Sequence, residues 1–420
     1  MTESPSREPP FAPDLRPPAG VPCFDHDPYS DDVGHFPYSY YKKMREAGSI
    51  CWLSRYGVYV STRDAIVRQC LGDWQHFSSA KGIGPLKKRA INDLKGNLIS
   101  PSASGLLEYD PPQHGPARRI MVSLLSNQAV AALRESFLVA AEALVDELLQ
   151  KDSADAVTEV VHRFILSVVG DAVGLPKEGR QHLLIFGELA MNLPGPLNSR
   201  YERALARVEK EGSRAWIAGM AKRESLAPVG FGATLYAMAD RGEITHEEAA
   251  ALIGTFLFAA IDSTAMTLIN GLHSFAAAPD QWSALRASPG QVGQAFDEVL
   301  RYRSAPQTLF RTTTSEVDIE GVRIPQDQKI GFSLAGANRD PARWQDPDKF
   351  DISRKSAQHV AFGAGIHACL GQMLAKLEAE CLLTALVRRA RRIEFAGEPV
   401  PFANNAMSTY SSLSLRFIPA

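Results

Sequence analysis

The feature that most constrains this fold is one long apolar segment near the middle of the chain, residues 249–278. Thr245 and Glu248 stand just before it with the spacing of a capping box, which predicts a helix from residue 246 to about 278. At about 1.5 Å per residue this helix is ~50 Å long, enough to cross a whole domain. Because it is apolar on most faces it must be buried, so the rest of the chain packs around it.

Polar residues inside this segment argue against a membrane span and mark a candidate site. Asp262 lies in its middle, and Ser263, Thr264, Asn270 and His273 follow, which a lipid-facing helix rarely tolerates. An ionised carboxylate at such depth is costly unless it is paired, hydrated or functional. We therefore interpret the segment as a buried helix and Asp262 as a candidate site residue.

The chain has no internal linker rich in proline, glycine or serine, which predicts a single domain over residues 29–420. Residues 1–28 contain eight prolines and no apolar signal-peptide core, which predicts a flexible arm and a cytoplasmic protein. The five scattered cysteines agree with a reducing compartment. A formal net charge of -2 gives no overall positive field, so we expect neither nucleic acid nor a membrane as a partner.

Helical periodicity covers most of the remaining chain, whereas strand patterns are short. Apolar residues recur at helical spacing over about 129–151, 157–173, 200–222, 281–303 and 371–392. A β-hairpin is predicted over residues 50–62, and further strands within 316–325 and 329–335. The predicted fold class is mainly α with small β-sheets, an α+β arrangement.

One cysteine stands in a glycine-rich stretch, HVAFGAGIHACLGQ, at residues 359–372. Helical periodicity resumes directly after Cys369, so its thiolate lies where backbone N–H groups and the helix dipole favour negative charge. Gly363, Gly365 and Gly371 permit turns and close approach that a Cβ would forbid, which suits a flat, bulky group such as a porphyrin. A zinc site is not favoured here, because further ligands are missing nearby.

The segment FGAGIHACLG resembles the haem-binding signature of the cytochrome P450 family. The resemblance implies that haem b is the cofactor and that Cys369 is its axial, metal-binding thiolate. It also implies that Phe362 shields the sulfur, that His367 hydrogen-bonds a haem propionate, and that Gly363 and Gly371 make room for the haem. A thiolate ligand pushes electron density to the iron and favours O–O cleavage.

Three further segments resemble motifs of the same family, and they follow one another in the family's order. FDEVLRYRS carries Glu298 and Arg301, which match the E-x-x-R motif and imply a structural role. DPPQHGPARR supplies His114 and Arg118 for one haem propionate, and FRTTT supplies Arg311 for the other. The resemblance covers about residues 27–417 and implies the P450 fold, with haem between the long central helix and the cysteine loop.

The segment AAIDST, residues 259–264, resembles the family's acid–alcohol groove above the haem iron. The resemblance implies that Asp262 and Ser263 are catalytic, Ser263 holding a water and the distal oxygen while Asp262 relays protons from solvent. Ala260 stands where the family has glycine, and Ser263 where it has threonine. We therefore expect a tighter groove and a less constrained hydroxyl.

The implied function is a haem-thiolate monooxygenase that inserts one oxygen atom from O2 into a C–H bond. The chain lacks a G-x-G-x-x-G unit and an iron–sulfur cysteine cluster, and soluble bacterial members imply an iron–sulfur ferredoxin and its reductase as partners. We expect Arg118, Arg119 and Lys376 to face the ferredoxin, and we attribute the arginines of VRRARR (387–392) to helix-dipole complementarity. Two alternatives are an H2O2-dependent peroxygenase and a non-enzymatic haem-thiolate sensor or electron carrier.

The segments RTTTSEV, PVGFGATLYAMADRGEIT and HVAFGAGIHACLGQMLAKLEAE are most similar to bacterial members that O-demethylate or hydroxylate para-substituted benzoates. Those members bind the carboxylate through arginine and serine, whereas this chain has Gly254, Phe258 and Pro101 at the corresponding places and keeps only Ser104. A buried carboxylate without a cation is expensive, so we predict an uncharged or phenolic aromatic substrate. The predicted pocket is lined by Leu107, Met191, Leu193, Phe258, Ala259, Ser263 and Leu309.

Overall fold

A computed structural model describes residues 17–86 and 105–420 of the chain, and its helices pack around the predicted central helix. This central helix runs over His246–Ala260 and Asp262–Ala277, and the predicted capping box is present at Thr245. The 32-residue run His246–Ala277 is long and apolar enough to cross a membrane, yet 72% of its most apolar window is buried inside the protein. It is the core helix around which the fold is built, with a break at Ile261 that the sequence did not predict.

Two further predicted long helices are interrupted near their middle. The helix predicted over 200–222 breaks at Gly212, whose left-handed φ of 67° ends the first half. The helix predicted over 281–303 breaks at Ser288, because the following Pro289 disfavours helical geometry in the residue before it. The helices lie at the following positions: Asp31–Gly34, Tyr38–Ala47, Asp64–Gly72, Gly105–Glu108, His114–Leu124, Asn127–Ala131, Arg134–Leu148, Arg163–Val173, Gln181–Asn192, Ser199–Lys210, Ser213–Met220, Phe231–Asp240, His246–Ala260, Asp262–Ala277, Pro279–Ala287, Val292–Tyr302, Leu334–Ala337 and Gln372–Arg389.

A π-helical turn, Ala156–His162, precedes the helix Arg163–Val173. The last helix, Gln372–Arg389, is shorter than predicted, because its final residues belong to a strand that begins at Ala390. These two differences show how the ends of long periodic stretches are decided by pairing and packing rather than by periodicity alone.

The β-structure is divided among one six-stranded sheet and smaller ones. The hairpin predicted over 50–62 is confirmed, with Trp52 opposite Tyr59, and the strands of 316–325 pair with each other. Strands after residue 389 were not predicted. The strands are Cys23–Phe24, Cys51–Leu53, Val58–Ser61, Phe77–Ser78, Ala154–Asp155, Thr308–Thr313, Val317–Ile319, Val322–Ile324, Lys329–Ser333, Ala390–Phe395, Val400–Ala403, Ser408–Ser412 and Ser414–Pro419.

Part of the predicted N-terminal arm is docked onto the large sheet. Cys23 and Phe24 pair in parallel with Trp52 and Leu53, and Val21 is buried. The arm predicted over residues 1–28 thus includes two residues that pair with the sheet, and its flexibility stays a prediction. Residues 1–16 lie outside the described residues.

Glu298 and Arg301 form a fully buried ion pair in the core. Arg301 donates from Nε and Nη2 to the two carboxylate oxygens of Glu298, both at 2.8 Å, and each side chain is 0% exposed. Its remaining hydrogen bonds go to the backbone carbonyls of Asn338, Pro347 and Lys349 at 2.8 to 3.0 Å. One guanidinium therefore joins the helix Val292–Tyr302 to the segment that leads to the cysteine loop.

Arg354 is a further member of this cluster that the sequence did not single out. Its Nε lies 3.5 Å from Glu298 Oε1, so two arginines face one buried carboxylate. Ser356 also donates its hydroxyl to Glu298. The side chain of Lys349 is exposed and lies 3.9 Å from Asp351, so only its backbone takes part in this cluster. A second arginine thus reaches the pair from a different position in the chain.

Candidate active site

The cysteine loop, residues 359–371, is built by two left-handed glycines. Gly363 has a φ of 70° and Gly365 a φ of 72°, which only glycine adopts at low cost. A Cβ at Gly365 would lie 2.2 Å from the carbonyl oxygen of Leu71, so this glycine lets the loop pack on the helix Asp64–Gly72. The N–H of Cys369 donates to the carbonyl of Phe362 at 2.8 Å and closes the loop.

The thiol of Cys369 is accessible although it lies deep among protein atoms. Burial raises the pKa of the Cys369 thiol, whereas the backbone N–H groups of Gly371 and Gln372 and the charge of Arg118 act in the opposite direction. These N–H groups stand at the start of the last helix, as the sequence predicted. The surroundings stabilise a thiolate only in part, which suits a sulfur whose charge is completed by a metal ion.

Four basic side chains predicted to hold the haem come together beside the cysteine loop. His114 and Arg118 lie on the helix His114–Leu124, Arg311 lies on the strand Thr308–Thr313, and His367 lies in the loop. The imidazole rings of His114 and His367 meet edge to face, with their centroids 4.6 Å apart. Arg118 donates to the carbonyl of Ala368 at 2.7 Å, which ties it to the residue before the cysteine.

The electrostatics of these four side chains fit an anionic group. Burial lowers the pKa of His367 to about 3, and the charges of Arg311, His114 and Arg118 act in the same direction. Burial also lowers the pKa of Arg311 to about 10. In the described part of the chain, Nε2 of both His114 and His367 is buried without a hydrogen-bond partner, while Asp110 faces them at 3.9 Å from His367. Neutral imidazoles and buried guanidiniums are donors that carboxylates such as haem propionates would satisfy.

The central helix is interrupted where the predicted acid and alcohol stand. Ile261 separates its two halves, and the Ser263 hydroxyl donates to the carbonyl of Ala259 at 2.8 Å. Thr267 repeats the arrangement toward the Ser263 carbonyl at 2.7 Å. The expected continuous helix is thus wrong at this point, where the Ser263 hydroxyl that bonds four residues back accompanies the break. The break leaves Ala259 exposed and Ser263 half-buried on a helix that is otherwise mostly covered.

Asp262 is buried without the cation that a buried carboxylate normally has. It is 4% exposed, and its Oδ2 has no hydrogen-bond partner in the parts of the chain that are described. Burial, together with the negative charge of Glu188, raises the pKa of Asp262 to about 8. The side chain therefore carries a proton at neutral pH and is a candidate proton donor.

Glu378 is a second buried acid, which sequence reasoning missed. It lies on the last helix at 0% exposure, and burial raises its pKa to about 8, opposed only in part by the Thr264 hydroxyl. Neither carboxyl oxygen has a well-formed hydrogen bond in the described residues. The signal was the one that identified Asp262, an acid inside an apolar stretch, here LEAECLL. Its contact with Thr264 brings the last helix against the central helix next to Ser263.

The residues predicted to line the substrate pocket do not all lie in one cluster. Met191 and Phe258 meet in one apolar cluster with Met266 and Met407. Leu193 packs instead among residues of the two helices on either side of it, such as Leu189. Leu107, Ala259, Ser263 and Leu309 are half-buried or exposed. Pro101 and Ser104, considered for carboxylate binding, lie outside the described residues.

A mainly α fold around a buried acid–alcohol helix, with an accessible thiol beside buried basic side chains, defines the class of haem-thiolate oxidoreductases. A family model described as Cytochrome P450 matches residues 177–409. Cytochrome p450 CYP199A2 of Rhodopseudomonas palustris is 39% identical over 421 residues, covering 100% of both chains. The chain belongs to the cytochrome P450 family.

Solved structures agree with this assignment. Cytochrome P450 CYP109Q5 from Chondromyces apiculatus is 28% identical with a TM-score of 0.78, covering 94% of this chain and 99% of its own. CalO2 is 26% identical with a TM-score of 0.80, again covering 94% and 99%. The fold is thus the P450 fold, and the protein is a monooxygenase whose cofactor is haem b. When bound, the haem supplies the activation of O2.

Proposed function

We propose that this monooxygenase oxidises a small aromatic compound by O-demethylation or hydroxylation. The observation that carries the proposal is the similarity of residues 228–245, 311–317 and 359–380 to bacterial members that act on para-substituted benzoates. Oxidation of a methoxy carbon would give a hemiacetal, which collapses to a phenol and formaldehyde. The apolar cluster around Phe258 and Met191 offers the surface that an aromatic ring requires.

The residues that would hold the cofactor are those gathered beside the cysteine loop. Cys369 would be the iron ligand, with the carbonyl of Phe362 fixing its backbone and Gly363 and Gly371 leaving room for the ring. The propionates would be bound by the basic side chains described above, His114, Arg118, Arg311 and His367. The Nε2 atoms of His114 and His367, buried without a partner in the described residues, support this assignment.

Asp262 and Ser263 would handle the protons of the reaction. Each inserted oxygen atom consumes two electrons and two protons, with the second oxygen leaving as water. Asp262 holds a proton at neutral pH and stands next to the half-buried hydroxyl of Ser263. The Ser263 hydroxyl donates its hydrogen to the carbonyl of Ala259, so its oxygen can still accept a hydrogen bond from another donor. A protonated acid beside an oriented alcohol is what a proton-delivery site needs.

An uncharged or phenolic ring suits this site better than a benzoate. Gly254 has nothing within 4 Å of a Cβ position, and Phe258 supplies only apolar surface. Among the described residues, neither of these two offers a carboxylate a charge or a donor to offset its desolvation. We accordingly favour methoxyphenols and related neutral aromatics.

We further propose that residues 29–420 form one haem-thiolate domain of a soluble, cytoplasmic protein. Its electrons would come from an iron–sulfur ferredoxin and its reductase, since the chain carries neither a dinucleotide-binding fingerprint nor a cysteine cluster of its own. The peroxygenase and the sensor or carrier alternatives are disfavoured because Asp262 and Ser263 keep the acid–alcohol pair. Turnover with ferredoxin compared with turnover on hydrogen peroxide separates the first alternative.

Visible spectroscopy tests the proposal on the purified holoenzyme. Reduced, carbon monoxide-bound protein is expected to give a long-wavelength Soret band that Cys369→His abolishes and that the matched control Cys23→Ala keeps. A panel of methoxyphenols and methoxybenzoates then reports binding through a spin-state shift. Methoxyphenols should bind more tightly and yield phenol with formaldehyde. Tight binding by the benzoates alone would refute the preference for a neutral ring.

A further inference from the structure

Asp297, on the helix Val292–Tyr302, faces one base from each side of the cysteine loop. Its Oδ1 lies 2.8 Å from Nζ of Lys376, on the last helix, and 3.6 Å from Nε2 of His359, the first residue of the loop. The side chains of Asp297 and His359 are 10% and 2% exposed, so this meeting point is shielded from water. One carboxylate oxygen therefore faces the chain both before and after Cys369.

The imidazole of His359 is held by the loop itself. Its Nδ1 accepts the N–H of Ala361 at 3.1 Å, so the proton of the neutral ring is on Nε2, the nitrogen that faces Asp297. Burial lowers the pKa of His359, although the charge of Asp297 acts in the opposite direction. The ring of Phe362 packs against it with the centroids 5.3 Å apart, and the Phe362 carbonyl accepts the N–H of Cys369. A series of contacts thus runs from Asp297 to the backbone of the cysteine.

Lys376 provides the second connection, from the other side of the loop. It lies early in the helix Gln372–Arg389, at whose start backbone N–H groups act on the thiol of Cys369. Burial acts to raise the pKa of Asp297, but His359 and Lys376 together lower it, so the carboxylate is charged at neutral pH. Because the ion pair fixes the start of this helix, it also fixes the N–H groups beside the sulfur.

We propose that Asp297 is a positioning residue that holds the thiolate of Cys369 in place by joining the two sides of its loop. The inference rests on the proposed role of Cys369 as the iron ligand. A carboxylate shared by His359 and Lys376 keeps the beginning of the loop and the start of the last helix at a fixed separation. Groups outside the ligand set orient metal ligands in this way. Asp297 thereby acts on the sulfur through two other residues.

The long-wavelength Soret band of the reduced, carbon monoxide-bound holoenzyme reports whether the sulfur stays bound as a thiolate. In urea too dilute to change the circular dichroism, Asp297→Asn should lose this band on the order of tenfold faster than the wild type, because a contact between charged groups is removed. Asp297→Glu should restore much of the lifetime. The matched control is Asp171→Asn, on the helix Arg163–Val173, which removes the partner of the buried Arg180 and should keep the wild-type lifetime.

Lys376→Met separates positioning from a simple effect of charge. Loss of the negative charge at Asp297 would by itself favour the thiolate, whereas loss of the positive charge at Lys376 would disfavour it. Positioning predicts that both variants lose the band faster than the wild type. A lifetime that is unchanged or longer in either variant, with the fold retained, would overturn the proposal. If the wild-type protein shows the band and Cys369→His does not, but no aromatic compound is oxidised, the proposed function fails and the lifetimes still decide the role of Asp297.

Discussion

Two residues decide how the interior of this protein responds to pH. Asp262 and Glu378 are acids within the core, and burial raises the pKa of each to about 8. Asp262 was predicted as a site residue because it interrupts an apolar run. Glu378 also interrupts an apolar run, so the same reasoning would have found it. Arg354 is different, because its approach to Glu298 depends on how a distant loop folds back. Patterns along the chain do not show which residues become neighbours when they are distant in sequence.

The two raised pKa values predict that the folded state loses stability as pH rises. When the pKa of an acid is higher in the folded protein than in the unfolded chain, its contribution to the free energy of unfolding is complete at pH values below the unfolded pKa. That contribution is lost as the pH rises from the unfolded pKa through the folded pKa. The window here runs from about 4 to about 8. Glu378→Gln removes one of the two titrating protons. Within this window, the loss of unfolding free energy with rising pH should therefore be less steep by about 1.4 kcal/mol per pH unit.

Urea unfolding of the holoenzyme at several pH values within that window measures this slope. The exposed Glu202→Gln, on the helix Ser199–Lys210, supplies the comparison, since it makes the same substitution at the surface. An identical slope in wild type and in Glu378→Gln would show that Glu378 is ionised in the folded protein.

At the scale of elements, the sequence predicted the helices better than their interruptions. The central helix was predicted from its capping box and apolar run, and both are present. Its break at Ile261 lies beside Ser263, whose hydroxyl bonds four residues back. Periodicity treats this polar residue as one more helical position. The same applies at Gly212, where the left-handed turn divides a periodic stretch. The breaks matter because one of them opens the groove at Ala259.

A connection between two helices over the active site is held by one asparagine. Asn405, in the turn of the hairpin made by Val400–Ala403 and Ser408–Ser412, donates to the carbonyls of Asn192 and Pro196 at 3.2 and 2.9 Å. These hydrogen bonds hold residues 193–198, the segment that joins the helix Gln181–Asn192 to the helix Ser199–Lys210, against the hairpin. Gly195 permits this, since a Cβ there would lie 2.3 Å from the Cβ of Asn405.

Asn405→Ala is expected to loosen this connection without altering the haem site. Removing the amide takes its donor from the carbonyl of Pro196, at a cost of about 1–3 kcal/mol, whereas the carbonyl of Asn192 keeps the N–H of Gly195. Because the freed segment begins at Leu193 and follows Met191 closely, bound substrate should dissociate faster, with kcat/KM falling more than kcat. Stopped-flow release of a spin-shifting substrate measures the rate. Ser411→Ala, an exposed change on the same hairpin, is the comparison, and equal release rates in both variants would contradict the closing role.

At the scale of the whole molecule, the motifs identified the family, and the fold changed the expectations about charge. Lys376, predicted to face the ferredoxin, pairs with Asp297 at 2.8 Å. Arg389 faces Glu142 and Asp146 on the helix Arg134–Leu148, at 3.8 and 3.2 Å. Sequence alone presents such cations as free, because their partners lie on other helices. Pairing reduces what each cation contributes to the field that a partner protein meets.

Arg119, unlike Lys376, is a predicted docking cation whose charge is not paired with an acid in the described residues. It is exposed on the helix that also carries Arg118, and within the described residues no ion pair with it is formed. Arg119→Glu should therefore slow reduction by an acidic ferredoxin about tenfold at low salt, with a smaller difference at high salt, because exposed charges mainly steer association. Arg391→Glu, a reversal of the same size beyond the last helix, should change little. If both reversals slow reduction equally, the effect is one of net charge, and electrons do not pass from a partner bound beside Arg119.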